Sequence, residues 1–252
     1  MAINVDTVYK TVLLLLNKEQ RGYMTPTEFN SIATQVQLEI FEKYFEDLNQ
    51  QLRVPQADID YADRIASIDE KIAVFKTFGD ASYDNTTTPL KPYFTIPSDV
   101  YKIGTIVFTP STGYPVELER LQRSTFYNIE KSNLTRSSES FPTYLYENTK
   151  LYVNPKTIQT TLEVDYIRKP ANPIWNFTVG NLGQYTFTAT DAVVPNPNPD
   201  NIVPSIDFEL MDSDQTIVIL KILLYAGLII KDPTVIQVAA QQVQSQEVNK
   251  KS

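Results

Sequence analysis

The stretch Thr25-Pro26-Thr27-Glu28-Phe29-Asn30-Ser31-Ile32-Ala33-Thr34-Gln35-Val36-Gln37-Leu38-Glu39-Ile40-Phe41-Glu42-Lys43-Tyr44 decides how the first quarter of this chain folds. Thr25 to Glu28 is a capping box: the threonine oxygen accepts from the Glu28 amide, and the glutamate reaches back to the Thr25 amide. Pro26 stands at the first helical position, where its missing N–H costs nothing. From there Phe29, Ile32, Ala33, Val36, Ile40, Tyr44 and Leu48 recur at three- and four-residue steps, which places them on one stripe of a helix reaching about Gln51. At 1.5 Å per residue such a helix is roughly 38 Å long.

On the N-terminal side, Val5, Val8, Tyr9, Val12, Leu13 and Leu16 predict a shorter helix ending near Asn17, with Gly22 in the connection. On the other side, Ile65, Ile68, Ile72 and Phe75 predict a third helix from about Ile59 to Phe78, with Gly79 as its C-terminal cap. The composition then changes. Asn85-Thr86-Thr87-Thr88-Pro89 reads as a loop, and short runs rich in β-branched and aromatic residues follow at Tyr93–Ile96, Val100–Phe108, Pro115–Leu118, Tyr144–Tyr146, Leu151–Asn154 and Thr161–Arg168. Glu147-Asn148-Thr149-Lys150 predicts a hairpin turn, and Phe177–Thr190 a further hairpin around Gly180-Asn181-Leu182-Gly183. Leu118–Ile129 has room for a helical turn. Pro195-Asn196-Pro197-Asn198-Pro199 is a stiff extended loop.

Helix returns at the C-terminal end. Ser213 or Asp214 caps a segment holding Ile217, Leu220, Leu224 and Leu228, apolar nearly all round and so expected to be buried on several sides. Asp232-Pro233 starts a last helix through about Val248. The expected fold class is therefore α+β: N- and C-terminal helices form a helical bundle, interrupted by a central antiparallel β-rich insertion. The boundaries expected are 1–80 for the first helical part, 81–205 for the insertion and 206–252 for the closing helices. No 20–50-residue repeat is visible, which argues against a solenoid or propeller.

The chain has 252 residues, is 42% apolar and 21% charged, and carries a net charge of −8. These are the proportions of a globular protein. It contains no histidine and no cysteine, which removes disulfides, thiol nucleophiles, imidazole bases and His- or Cys-built zinc sites. The acidic balance argues against wrapping nucleic acid, which needs Lys and Arg to displace counterions. Met1 to Asp6 lack the basic start of a signal peptide, and the apolar run Ile217–Ile230 is shorter than a membrane span. No export leader and no membrane are expected.

Candidate chemistry is thin. Asp58, Asp60 and Asp63 lack the turn glycine and distal glutamate of a calcium loop, and a solvated helix start accounts for them. Asp212 and Asp214 read as helix N-terminal charge. Glu117 with Glu119, and Glu163 with Asp165, have the spacing of a glycosidase pair, but also that of any exposed strand face. The seven glycines contain no phosphate-binding pattern. Tyr114, Tyr127, Tyr144, Tyr146, Tyr152, Tyr166 and Tyr185 with Trp175 form either a sugar-stacking platform or strand cores and protein interfaces. Gln237, Gln241, Gln242, Gln244 and Gln246 give the last helix an uncharged polar face, suited either to subunit contact or to solvent.

The order of parts resembles the neck, or head-to-tail connector, ring proteins of short-tailed bacteriophages, those of crAss-like phages above all. The resemblance rests on the block Asn17 to Asn30, followed by Ala33, Gln37, Ile40, Phe41, Tyr44 and Leu48-Asn49. It extends to Tyr93-Phe94-Thr95-Ile96-Pro97-Ser98-Asp99-Val100-Tyr101-Lys102-Ile103 and to the closing pair Gln215–Lys231 and Asp232–Val248. The β region, residues 92–204, is larger than in minimal adaptors. What the resemblance implies is a non-enzymatic structural protein of the virion, assembled in the host cytoplasm, forming a ring of commonly twelve copies between portal and tail. Its partners are then further copies of itself, the portal protein and other neck or tail rings. DNA passes through the lumen without sequence-specific binding, and no cofactor or metal is required. Phe29, Val36, Ile40, Tyr44, Leu48, Leu220, Leu224 and Leu228 are the residues expected to serve helical packing or assembly, and Gln237, Gln241 and Gln244 those expected at an interface. The competing expectation is a β-rich carbohydrate-binding or glycan-cleaving tail protein.

Overall fold

A computed structural model describes residues 2–18, 24–53, 59–85, 91–110, 113–189, 204–230, 237 and 239–245, with side chains for all of these except 17, 18, 51–53, 59–64 and 228–230. The fold is mixed α/β. In chain order the elements are β1 (Ala2–Ile3), α1 (Val5–Lys18), α2 (Pro26–Arg53), α3 (Ile59–Ala73), β2 (Lys76–Asp84), β3 (Tyr93–Thr95), β4 (Val100–Phe108), β5 (Val116–Glu117), β6 (Glu119–Arg120), α4 (Arg123–Ile129), β7 (Thr143–Glu147), β8 (Lys150–Asn154), β9 (Leu162–Arg168), β10 (Phe177–Val179), β11 (Tyr185–Phe187), β12 (Phe208–Met211), a 3-10 turn at Asp212–Asp214, and α5 (Gln215–Ile230). They divide into two compact units, residues 75–169 and the remainder. The division falls at 75 and 170 rather than at 81 and 206. Residues 170–205, expected in the β-rich insertion, belong to the unit that holds the long helices.

In that helix-bearing unit the capping box is present: Thr25 N–H donates to Glu28 Oε2 at 2.9 Å and Glu28 N–H to Thr25 Oγ1 at 3.4 Å. These bonds to its charged form hold the Glu28 carboxyl below the usual range. α1 has a cap of its own, Asn4, whose Oδ1 accepts the Thr7 N–H at 3.0 Å. Val8, Val12 and Leu16 of α1, Phe29, Ala33, Val36, Ile40 and Phe41 of α2, and Phe208 and Leu210 of β12 are buried. β1 pairs antiparallel with β12, bringing the first residues described against the strand that leads into α5.

α3 stops at Ala73, five residues short of the expected end. Lys76 to Ala81 instead pair with Ile167 to Leu162 of β9. Gly79 is not a helix cap. A Cβ there would lie 2.9 Å from both Pro97 Cγ and the Tyr166 ring, so a close approach inside the sheet is what requires glycine.

The second unit is a sheet in the order β5-β4-β9-β2-β3-β8-β7-β6. β2 belongs to both halves: its first part pairs with β9 and Ser82–Asp84 with β3. At the far ends, β5 pairs with β4 and β6 pairs with β7. These two are consecutive, and Leu118 between them donates its N–H to Ile106 O at 2.9 Å. The continuous stretch 116–120 thus ties one end of the sheet to the other, closing it around Ala81, Phe94, Ile106, Leu151, Leu162 and Val164. The β7–β8 hairpin turns at Asn148 and Thr149, with φ of 50° and 59°, the pattern of a type I′ turn.

Candidate assembly surface

α5 contains one charged residue, Lys221, and that residue fixes the helix's rotation. Its ammonium is ion-paired with Glu39 of α2, and Tyr225, one turn on, donates its hydroxyl to the same carboxylate at 3.2 Å. Burial and the Glu39 charge raise the Tyr225 pKa. At the helix start, Asp214 is 1% exposed. It accepts the Tyr44 hydroxyl at 2.7 Å and the Lys71 ammonium at 2.8 Å on each oxygen. Lys71 also stands 5.4 Å above the Tyr44 ring. Asp214 is therefore more than helix N-terminal charge: it joins α2, α3 and α5. Asp212 beside it is exposed.

With these contacts made, the buried line of α5 is Val218, Lys221, Ile222 and Ala226. Leu220 and Leu224, and Ile217 before them, remain half-buried. Leu220 and Leu224, expected to serve helical packing or assembly, are thus only partly covered within one copy of the chain. Leu228 is in the helix, but its side chain lies outside the described residues. On α2, Phe29, Val36, Ile40 and Tyr44 are buried and Leu48 is half-buried. α1 adds Leu14 and Leu15 to the exposed apolar surface of this unit. Gln237, Gln241 and Gln244 are exposed, the last two on a helical stretch, residues 239–245. The start of that helix at Asp232-Pro233 lies outside the described residues, as do Asp58 and the proline-rich loop 195–199.

Charge divides as sharply as fold. Residues 75–169 hold 11 basic and 10 acidic side chains, and the rest of the chain holds 11 and 20. The helix-bearing unit carries −9 and the β unit +1.

The aromatic residues are not gathered into one platform. Tyr144 and Tyr166 are buried in the β unit and Trp175 in the other, so their faces cannot stack on a sugar. Glu117, Glu119 and Glu163 are exposed on strands; Glu117 and Glu163 flank Val107 from opposite sides. Among the described residues no cluster of acidic side chains is arranged to hold a metal, and no helix is long and apolar enough to cross a membrane.

Sequence reasoning missed the surroundings of Trp175. Its backbone N–H donates to Asn30 Oδ1 at 2.8 Å, its carbonyl accepts from Asn30 Nδ2 at 3.1 Å, and its indole N–H donates to Asp6 at 3.0 Å. Its ring lies 4.3 Å from Tyr9, 5.8 Å from Phe177 and 5.6 Å from Phe187. The available signal was a gap in charge: Ala171 to Thr190 contains no Asp, Glu, Lys or Arg. Compared with protein-family models and with curated proteins, the chain matches none.

Proposed function

We propose that this chain is a structural subunit that assembles side by side into a ring in the neck of a bacteriophage particle, between portal and tail and around the DNA passage. The observation that carries the reading is α5. A helix with no polar face, rotated by Lys221 and Asp214 so that Ile217, Leu220 and Leu224 stay half-buried, is suited to a neighbouring subunit rather than to water. α2 packs against α3 and α5, and α1 against α5, and copies of such a unit repeated around an axis would close a ring through head-to-tail contacts. The charge division supports the same reading. A unit of −9 lining a lumen repels phosphates and lets DNA slide without sticking, while the near-neutral β unit meets the next tail component.

By resemblance the ring has twelve copies, its partners are the portal protein and further neck rings, and its place is the virion. Electron microscopy of the particles tests this. The expected result is a ring of this chain docked against the portal. Trimeric spikes, or a chain absent from the neck, would overturn it.

A further inference from the structure

The outer wall of the β unit carries a hollow of about 380 Å³ over β9 and its neighbours β2 and β4. Leu162, Val164 and Tyr166 of β9 are buried inside the closed sheet, so Glu163, Asp165 and Ile167 face outward, and the residues opposite them on β2 and β4 share that face. The register sets out three rows: Lys76, Ile167 and Lys102; then Phe78 and Asp165; then Asp80, Glu163 and Val107. Both lysines are exposed, and Phe78 is 72% exposed.

A bulge keeps the middle row open. The pairing of β4 with β9 slips between Ile103 and Ile106, so Gly104 and Thr105 stand together opposite the single residue Asp165. A Cβ on Gly104 would lie 3.1 Å from the Asp165 carbonyl oxygen and 3.9 Å from the Asp165 Cβ. Glycine thus keeps space beside the carboxylate, and the hollow runs from there to Phe78 and the two lysines.

We infer that this hollow binds one nucleotide unit, with the base against Phe78 and the phosphate between Lys76 and Lys102. Spacing selects that ligand first. Lys76 and Phe78 stand two residues apart on one face of a strand, about 7 Å, which is the span from a base to its own 5′-phosphate. Lys76 and Lys102 flank Ile167 across about 10 Å of sheet, and their flexible four-carbon stems bring both ammoniums to one phosphate. The hollow is at the small end of the roughly 300–1,000 Å³ of ligand pockets, room for one unit. Charge then sets the direction. Asp165, with Asp80 and Glu163 beyond it, repels a second phosphate and offers an acceptor to a base amino group or a sugar hydroxyl. Other occupants fit worse: an apolar protein surface would bury two ammoniums and a carboxylate, an extended acidic peptide would run on into Asp80 and Glu163, and a neutral sugar would leave the lysines unused. Stacking on an aromatic side chain beside lysines holds single strands without reading their sequence. A free nucleotide and a single-stranded nucleic acid present the same chemistry, and the inference stands independently of the ring reading.

Calorimetry and fluorescence anisotropy of the full-length chain at low salt test it, with deoxyadenosine 5′-monophosphate, deoxyadenosine, inorganic phosphate and a labelled oligo(dA) strand as probes. The expected result is saturable binding of the monophosphate, with deoxyadenosine and inorganic phosphate each bound more weakly. Phe78→Ala should weaken binding by roughly tenfold, and Lys102→Ala should weaken it and make its salt dependence shallower. Both side chains are exposed, so the thermal midpoint stays unchanged. Lys131→Ala, at an exposed lysine beyond α4, should bind as the wild type does. A strand bound more tightly than the monophosphate makes single-stranded nucleic acid the source, and a strand bound no more tightly makes it the free nucleotide. Absence of saturable binding by either probe, deoxyadenosine bound as well as its phosphate, or binding unchanged in Phe78→Ala and Lys102→Ala would overturn the inference.

Discussion

Tyr44 in the middle of α2 donates its hydroxyl to Asp214 at 2.7 Å, across 170 residues of sequence, and Lys71 of α3 neutralises the same carboxylate. Three helices thus depend on one buried anion. Asp214→Asn keeps an acceptor for Tyr44 but leaves the Lys71 ammonium without its counter-ion, and should cost about 3 kcal/mol of stability. Urea denaturation followed by circular dichroism measures it.

Burial and the adjacent Asp214 charge push the Tyr44 pKa far above its ordinary value, and burial also raises those of Tyr144, Tyr166 and Tyr225. In the unfolded chain these phenols ionise near pH 10. Above that pH the unfolded state releases protons the folded state keeps, so stability is complete below about pH 10 and falls as pH rises beyond it. Tyr44→Phe should be less stable at neutral pH and show a shallower alkaline decline. An equally steep decline would mean that the Tyr44 phenol does not carry this linkage.

Thr25→Ala removes both the acceptor for the Glu28 amide and the side-chain partner of its carboxylate, and should cost about 1 kcal/mol. Because Glu28 is held below its usual pKa, the wild-type advantage is present above the unfolded carboxyl value and shrinks as pH falls through the folded one. Thermal melts of both proteins at neutral and acidic pH compare the two.

Thr149 occupies the left-handed region with a branched Cβ, where glycine is at home. Thr149→Gly should stabilise the β unit by about 1 kcal/mol. The readout is a higher midpoint in denaturant with an unchanged slope.

Ile40 is 3% exposed, and Ile40→Asp puts a carboxylate into the apolar interior of the helix-bearing unit. The cost should exceed about 4 kcal/mol and leave little soluble folded protein. Leu48→Asp, near the half-buried end of the stripe, should be tolerated far better. Equal solubility of the two would show that Ile40 is not on the buried line.

α2 is legible in the sequence because two independent signals agree, a capping box and a stripe of period 3.6. α5 is legible as a helix, but its orientation is not. When nearly every residue is apolar, hydrophobic spacing cannot separate Val218–Ile222–Ala226 from Ile217–Leu220–Leu224. Lys221 and Asp214 settle the rotation, and their partners Glu39 and Lys71 stand 182 and 143 residues away. The end of α3 was obscured for another reason. Ile72, Phe75 and Phe78 keep helical spacing, yet Phe78 is 72% exposed on a strand, because pairing with β9 outweighs local preference. The placement of Trp175 depends on Asn30 and Asp6, whose side chains give no sign in sequence that they hold it.

The closed sheet of residues 75–169 begins and ends at one place, for Arg168 donates its backbone N–H to Phe75 O at 2.9 Å. Its entry and exit are thus joined by one backbone hydrogen bond, which makes it a cassette. Such a module can be exchanged for another of different size or specificity, or deleted and spanned by a few residues, without rerouting the helices that flank it in sequence. Variation among related chains is then expected to concentrate between Val74 and Pro170, where a change of size or surface leaves the core of the helix-bearing unit as it is.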